Sequence, residues 1–320
     1  MTSTTRNAGR RRPSWFTRFW AVVRYEMLWN IRKKKFIGVI ILAFVFATLG
    51  IVLPVVLSNV SGEPIEANPD YIAGIGAGSL GFFLFALVIA MNSISGEFES
   101  GTIVPLLTKP VSRTMVFLGK VFAAFLLLLI AYTLLFIYQI VGGTIVYGPQ
   151  NNLHLIPLLM LGNILSTFVW MAIVLALGAL TKNSLITALV TFGVFAGLLI
   201  ASPIVSVFTG QAGALSYVPG SGATGYLVPA GGQIMLNVSS ISTGTDAIAS
   251  NFVNYALDPS ANVTYARIGS FTDVQNPALV PVYTEALSLV LLRSVLVALA
   301  YSVVFLVVAW IAFKRAQILE

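Results

Sequence analysis

Six long apolar runs set the pattern of this chain, at 36–57, 71–92, 115–141, 156–180, 184–208 and 286–313. Each is at least about 20 residues long, which is what an α-helix needs to cross the hydrocarbon of a bilayer. Helix formation is enforced there, because no water remains to satisfy the backbone N–H and C=O groups. A different period precedes the first run. Between residues 14 and 35, Trp15, Phe16, Phe19, Trp20, Val23, Met27 and Ile31 recur at three- and four-residue spacing, with Arg18, Arg24, Glu26 and Arg32 mostly off that stripe. Such a helix lies in the membrane interface. Ser14 is placed to cap it, and Pro13 stops it from extending backwards.

Composition supports this reading. The 320 residues are 58% hydrophobic and 9% charged, where a soluble domain carries about 25% charged residues. Cysteine is absent, which removes disulfides and thiolate metal sites. The charges alternate by segment. Ten basic residues precede the first run: Arg6, Arg10, Arg11, Arg12, Arg18, Arg24, Arg32, Lys33, Lys34 and Lys35. The first loop carries Glu63, Glu66 and Asp70 and no base, the second carries Lys109 and Arg113, and the third has neither Lys nor Arg. Lys182 follows the fourth run, Lys314 and Arg315 follow the sixth, and the long fifth loop is mainly acidic. The positive-inside rule therefore places both termini in the cytoplasm of a cell-membrane protein. Residues 1–13 are expected to form a disordered basic tail that grips anionic lipid headgroups or sits near a cytoplasmic partner, and 14–35 an interfacial helix that either anchors in lipid alone or, as an elbow, also packs on such a partner. The Arg10–Arg12 cluster is read as part of a retained anchor, since no small-residue cleavage site follows the first run. Sequons at Asn59, Asn237 and Asn262 fall in outer segments and are candidate N-glycosylation sites.

Several function classes are disfavoured. No Asp, Glu or His lies well inside any run, whereas an ion-coupled transporter needs charge-bearing groups at depth. Lys120 sits close enough to the start of the third run to snorkel to the cytoplasmic side. Arg293, seven residues into the sixth run, lies about two helical turns from Glu285 and is the candidate translocation-path charge. His154 is the only His, in a short outer loop, so no metal site is expected. Gly119-Lys120 lacks the first Gly and the Ser/Thr of a phosphate-binding loop, so uphill movement would draw energy from another chain. No nucleic-acid partner is expected. The rival readings are a membrane scaffold or receptor without transport, and a secondary transporter or membrane-embedded enzyme.

The interruption between the second and third runs reads Ser-Ile-Ser-Gly-Glu-Phe-Glu-Ser-Gly-Thr-Ile-Val-Pro-Leu-Leu-Thr-Lys-Pro-Val-Ser-Arg, residues 93–113, with Gly119-Lys120 beyond it. Apolar positions at Ile94, Phe98, Ile103, Leu106 and Leu107 stand beside Glu97 and Glu99, Gly101 allows a bend, and Pro105 and Pro110 suit helix starts. These residues predict a short helical hairpin at the cytoplasmic surface, continuous with the second and third spans.

The same stretch resembles the signature of the ABC-2 type transporter permeases. Glu97, Gly101, Thr102, Ile103, Leu106, Leu107, Pro110, Val111, Ser112 and Arg113 fill its places, while Val104 departs from the acidic or polar residue that relatives often carry. The resemblance implies the membrane half of an ABC transporter, usually an exporter, in which two permease copies or paralogues pair with two separate ATPase subunits. ATP and Mg would bind those partners, and this chain would hold no cofactor. Residues 93–113 would be the coupling helix. Glu97 and Glu99 would contact the ATPase or lock the hairpin to the N-terminal helix, Gly101 and Thr102 would form the bend, and Pro110 to Arg113 would start the third span. In such permeases the second and fifth spans line the path between protomers. Here Gly74 and Gly78, and Gly193 and Gly197, give those spans the small-residue spacing that permits close helix approach.

The loop at 209–285 is too long for a turn. Thr245 is expected to cap a helix from Asp246 to Leu257 that ends at Asp258-Pro259, and residues 226–238 are expected to dip partly into the membrane. The predicted fold is an all-α integral membrane protein. It has six spans, an N-terminal interfacial helix, a cytoplasmic coupling helix and an extracytoplasmic loop before the last span, with residues 36–315 forming one transmembrane domain. No residue identifies a substrate.

Overall fold

The structure, a computed structural model, describes residues 14–32, 34–62, 79–91, 93–99, 101, 112–209, 216–219, 227–230, 233–236, 248–270 and 278–316. The basic tail 1–13, Gly74 and Gly78, residues 102–111 with Thr102, Leu106, Leu107 and Pro110, the sequon at Asn237, and Thr245 lie outside the described residues.

The chain opens with α1 (Trp15–Ile31), and Ser14 caps it as expected, its hydroxyl accepting from the Thr17 amide at 3.2 Å. Then come α2 (Lys34–Ser61), α3 (Ser79–Met91), the five-residue α4 (Ser95–Glu99), α5 (Arg113–Tyr147), α6 (Ile156–Thr181) and α7 (Ser184–Thr209). After two short strands, α8 (Ile248–Leu257) and a longer hairpin lead into α9 (Leu287–Arg315). Among the described residues, α2, α5, α6, α7 and α9 are long and apolar enough to cross a membrane. The described part of the second run is α3, with 13 residues.

α6 lies at the centre of the bundle. Within its apolar stretch 72% is buried inside the protein, against 17% for α2, α7 and α9. Trp170 of α6 meets Phe195 of α7 edge-on, with centroids 5.4 Å apart, and the Thr167 hydroxyl pairs with Tyr132 of α5. Small residues bring the helices close. A Cβ at Gly119 of α5 would stand 2.7 Å from Val22 Cγ1 of α1, and one at Gly142 of α5 would stand 2.8 Å from Ile51 Cδ1 of α2. α2 contains Pro54, which interrupts the helical ladder. One turn earlier, the Ile51 carbonyl accepts from the Tyr147 hydroxyl at 2.9 Å.

The segment before α9 departs from the all-α expectation. Strands β1 (Leu227–Ala230) and β2 (Gln233–Leu236) form one antiparallel hairpin, and β3 (Asn262–Ser270) and β4 (Ala278–Ala286) form another. Residues 262–270 and 278–286 carry Val, Tyr, Thr and Ile, which favour a pleated surface. Pro281, which cannot donate to a ladder, pairs at the irregularity after Tyr265. α8 ends at Leu257, where the expected helix ends, and its first turn lies so close to α6 that a Cβ at Gly162 would be 2.4 Å from Ala249 Cα.

Candidate coupling site

The start of the polar interruption, residues 93–95, is buried in the bundle. Ile94 and Ser95 are fully buried, and Ser95 lies 3.5 Å from where a Cβ at Gly178 of α6 would be. α4 turns on bonds from the Glu97 and Phe98 amides to the Ile94 carbonyl, and Gly101 follows with φ +67. That left-handed value is the bend expected at this glycine, and it strains any residue with a Cβ.

Glu97 and Glu99 lie two residues apart on one helical turn, about 200° around its axis. They reach opposite neighbours. Glu97 Oε1 accepts from the Lys120 ammonium of α5 at 2.6 Å, and the same ammonium donates to Glu26 Oε1 of α1 at 2.6 Å. The Lys120 side chain is fully buried and that of Glu26 nearly so. Glu99 Oε2 accepts from the hydroxyl of Ser184 at 2.5 Å and from its amide at 3.3 Å, at the start of α7. Phe98, between the two glutamates, packs edge-on to Phe313 of α9 at 6.2 Å, and the Lys182 ammonium lies 5.7 Å from the centre of its ring. The turn thus meets α5, α6, α7 and α9 directly and reaches the N-terminal helix through Lys120.

Lys120 corrects one expectation. It does not snorkel outward but turns inward, because two carboxylates converge on it. An ammonium out of water is stable only where paired charges replace its hydration. Glu26, which the sequence pattern marks simply as off the apolar stripe, is the third member of the cluster. The available signal was a lone acid in a helix otherwise bearing arginines. Val23, Glu26 and Asn30 are the buried positions of α1, while Trp15, Phe16, Trp20 and Ile31 are exposed.

Arg113 caps another element. Its guanidinium donates to the carbonyls of Lys314 at 2.9 Å and Ala316 at 3.2 Å, the free C-terminal end of α9. Ser112 caps α5 by accepting from the Met115 amide at 3.1 Å. The other candidates lie elsewhere. Gly193 and Gly197 would meet no other part of the described chain within 4 Å if given a Cβ. Arg293 donates to both carboxylate oxygens of Glu285, at 2.7 and 3.2 Å, and its guanidinium lies 5.8 Å from the Tyr217 ring centre. Asn59 and Asn262 are exposed. Among the described residues no group of three or more His, Asp or Glu is placed to hold a metal.

Long apolar helices around a buried core, with a charged cluster joining the N-terminal helix to the 95–99 turn, define a multi-pass helical membrane protein. The family described as ABC-2 family transporter protein matches residues 20–318, and the chain belongs to it. It is a transport permease of that family. No curated protein matches the chain.

Proposed function

We propose that this chain is the membrane-spanning subunit of an ABC exporter whose ATP-hydrolysing subunits are separate proteins. They dock on the cytoplasmic face at residues 93–113, and two permease copies or paralogues enclose the path. ATP and Mg bind the partner. Closure of the ATPase dimer moves the coupling segment, and the bundle passes between inward- and outward-open states, both accessible and biased by nucleotide.

The ion cluster of Glu26, Lys120 and Glu97 carries this reading. A push on the 95–99 turn reaches α1 and α5 through short charge-assisted bonds rather than through a flexible loop. The carboxylates of Glu97 and Glu99 then serve as internal anchors of the docking segment. The basic residues around α1 and after α9 support a cytoplasmic position for this end of the bundle. Arg293, held by Glu285, serves at the outer end of the path.

Purification of the tagged chain from its own membrane tests the proposal. A nucleotide-binding subunit is expected to remain bound, and a thiol introduced at residue 99 is expected to react solely from the cytoplasmic side. Labelling of that thiol from outside intact cells, or ATP hydrolysis by the chain alone, contradicts the assignment. Retention of the transmembrane chain with no ATPase under any condition favours the scaffold reading.

A further inference from the structure

The two glutamates of α4 divide the coupling site into two branches, and the second runs from Glu99 to the start of α7. α7 is loosely held by the rest of the chain. Leu185, Leu189 and Ile200 point outward from it, and just 17% of its apolar stretch is buried. Its start, by contrast, is firmly knitted. Lys182 reverses the chain in the left-handed region at φ 54, and Asn183 Oδ1 accepts from the Ile186 amide at 3.0 Å. The buried Thr187 hydroxyl donates to the Asn183 carbonyl at 2.7 Å and pairs with the Thr181 hydroxyl at 2.8 Å.

Asn183 already provides the side-chain cap of α7. The bonds from Ser184 to Glu99 therefore add a connection between elements beyond that cap. A carboxylate at a helix N-terminus is held by the exposed first-turn N–H groups and the helix dipole. This one belongs to the turn between the second and third spans. The braced 181–187 turn transmits a displacement instead of absorbing it.

Resting on the proposed function, we infer that Glu99 is a positioning residue that drives α7, the fifth span, in step with the coupling segment. Glu97 and Lys120 drive α5 and α1. The two spans would then move as one response to a single docking event, and loss of Glu99 would disconnect the fifth.

The chain has no cysteine, so a nitroxide can be placed at Ile200→Cys on the exposed face of α7 and attached before assembly with the partner ATPase in lipid vesicles. In the parent, ATP with vanadate is expected to change the nitroxide spectrum. Glu99→Ala is expected to abolish that change, while a second nitroxide at Leu118→Cys on α5 still responds. Ser184→Ala, which removes the hydroxyl donor from the other side, is expected to act in the same direction and substitutes for Glu99→Ala should the latter fail to assemble. Adding Ser184→Asp to Glu99→Ala restores negative charge at the helix start but not the connection, and is expected not to rescue. A parent that responds together with a Glu99→Ala that responds equally, or rescue by Ser184→Asp, overturns the role of Glu99 alone. A parent in which neither label responds overturns the ATP-driven mechanism, and this inference with it.

Discussion

Lys120 Nζ lies 2.6 Å from Glu26 Oε1, across 94 residues of sequence and between two helices that meet at Gly119 and Val22. The contact depends on both features. Without the glycine, α1 could not approach closely enough for Glu26 to reach the ammonium. Without the ammonium, Glu26 would be an acid buried in an apolar interface.

That dependence predicts the effect of Lys120→Met. Removing the ammonium leaves the buried Glu26 unpaired beside the partly buried Glu97, and breaking a buried ion pair in this way costs about 3–5 kcal/mol. Thermal unfolding of the detergent-solubilised chain should show a large drop. Adding Glu26→Gln and Glu97→Gln removes the stranded charges and should recover most of it. A single Lys120→Met variant as stable as the parent contradicts the burial of the cluster.

Glycine positions should rank by what a methyl group would meet. Gly162→Ala places its Cβ 2.4 Å from the Ala249 backbone, which no rotamer change relieves, so it should be clearly destabilising. Gly193→Ala meets open space within the chain and should be neutral or stabilise α7 by up to about 1 kcal/mol. Comparing their melting temperatures is the test. Loss of subunit assembly in Gly193→Ala, with normal stability of the single chain, would mark that glycine as an intersubunit contact.

Arg293→Gln separates structure from transport. The pair with Glu285 is partly exposed, with side chains 20% and 26% accessible, so its loss should cost no more than about 1 kcal/mol. A large fall in ATP-driven transport at nearly unchanged stability is the expected result if the guanidinium serves the path. Parallel small falls in both would reduce it to a brace between β4 and α9.

Acid should loosen the turn after α8. Hydrogen bonds from the hydroxyl and amide of Ser260 hold the Asp258 carboxyl below its ordinary range. A lowered carboxylate contributes stability above its unfolded pKa, near about 4, and loses it as pH falls through the lowered value. Protease cutting at 258–261 should therefore rise below about pH 4, and Ser260→Ala, which removes the hydroxyl donor, should raise cutting at neutral pH and flatten its rise in acid. An acid response in Ser260→Ala equal to that of the parent contradicts the capping role.

The helices and their approximate ends were determined by the sequence alone. Runs at 156–180 and 184–208 became Ile156–Thr181 and Ser184–Thr209, and Ser14 caps the first helix as its neighbours required. Lipid makes that possible, since each apolar run must satisfy its own backbone without waiting for a partner. The tertiary structure decided the rest. α5 continues through Gly142 and Gly143 to Tyr147, past the expected end at 141, because Ile51 packs where a side chain would have stood. β3 and β4 depend on each other's backbone groups, so neither is fixed by its own residues. Glu26 with Lys120, Glu99 with Ser184 and Arg113 with Ala316 are joined across 94, 85 and 203 residues. A charge finds its partner by distance in space, and local periodicity holds no record of that distance.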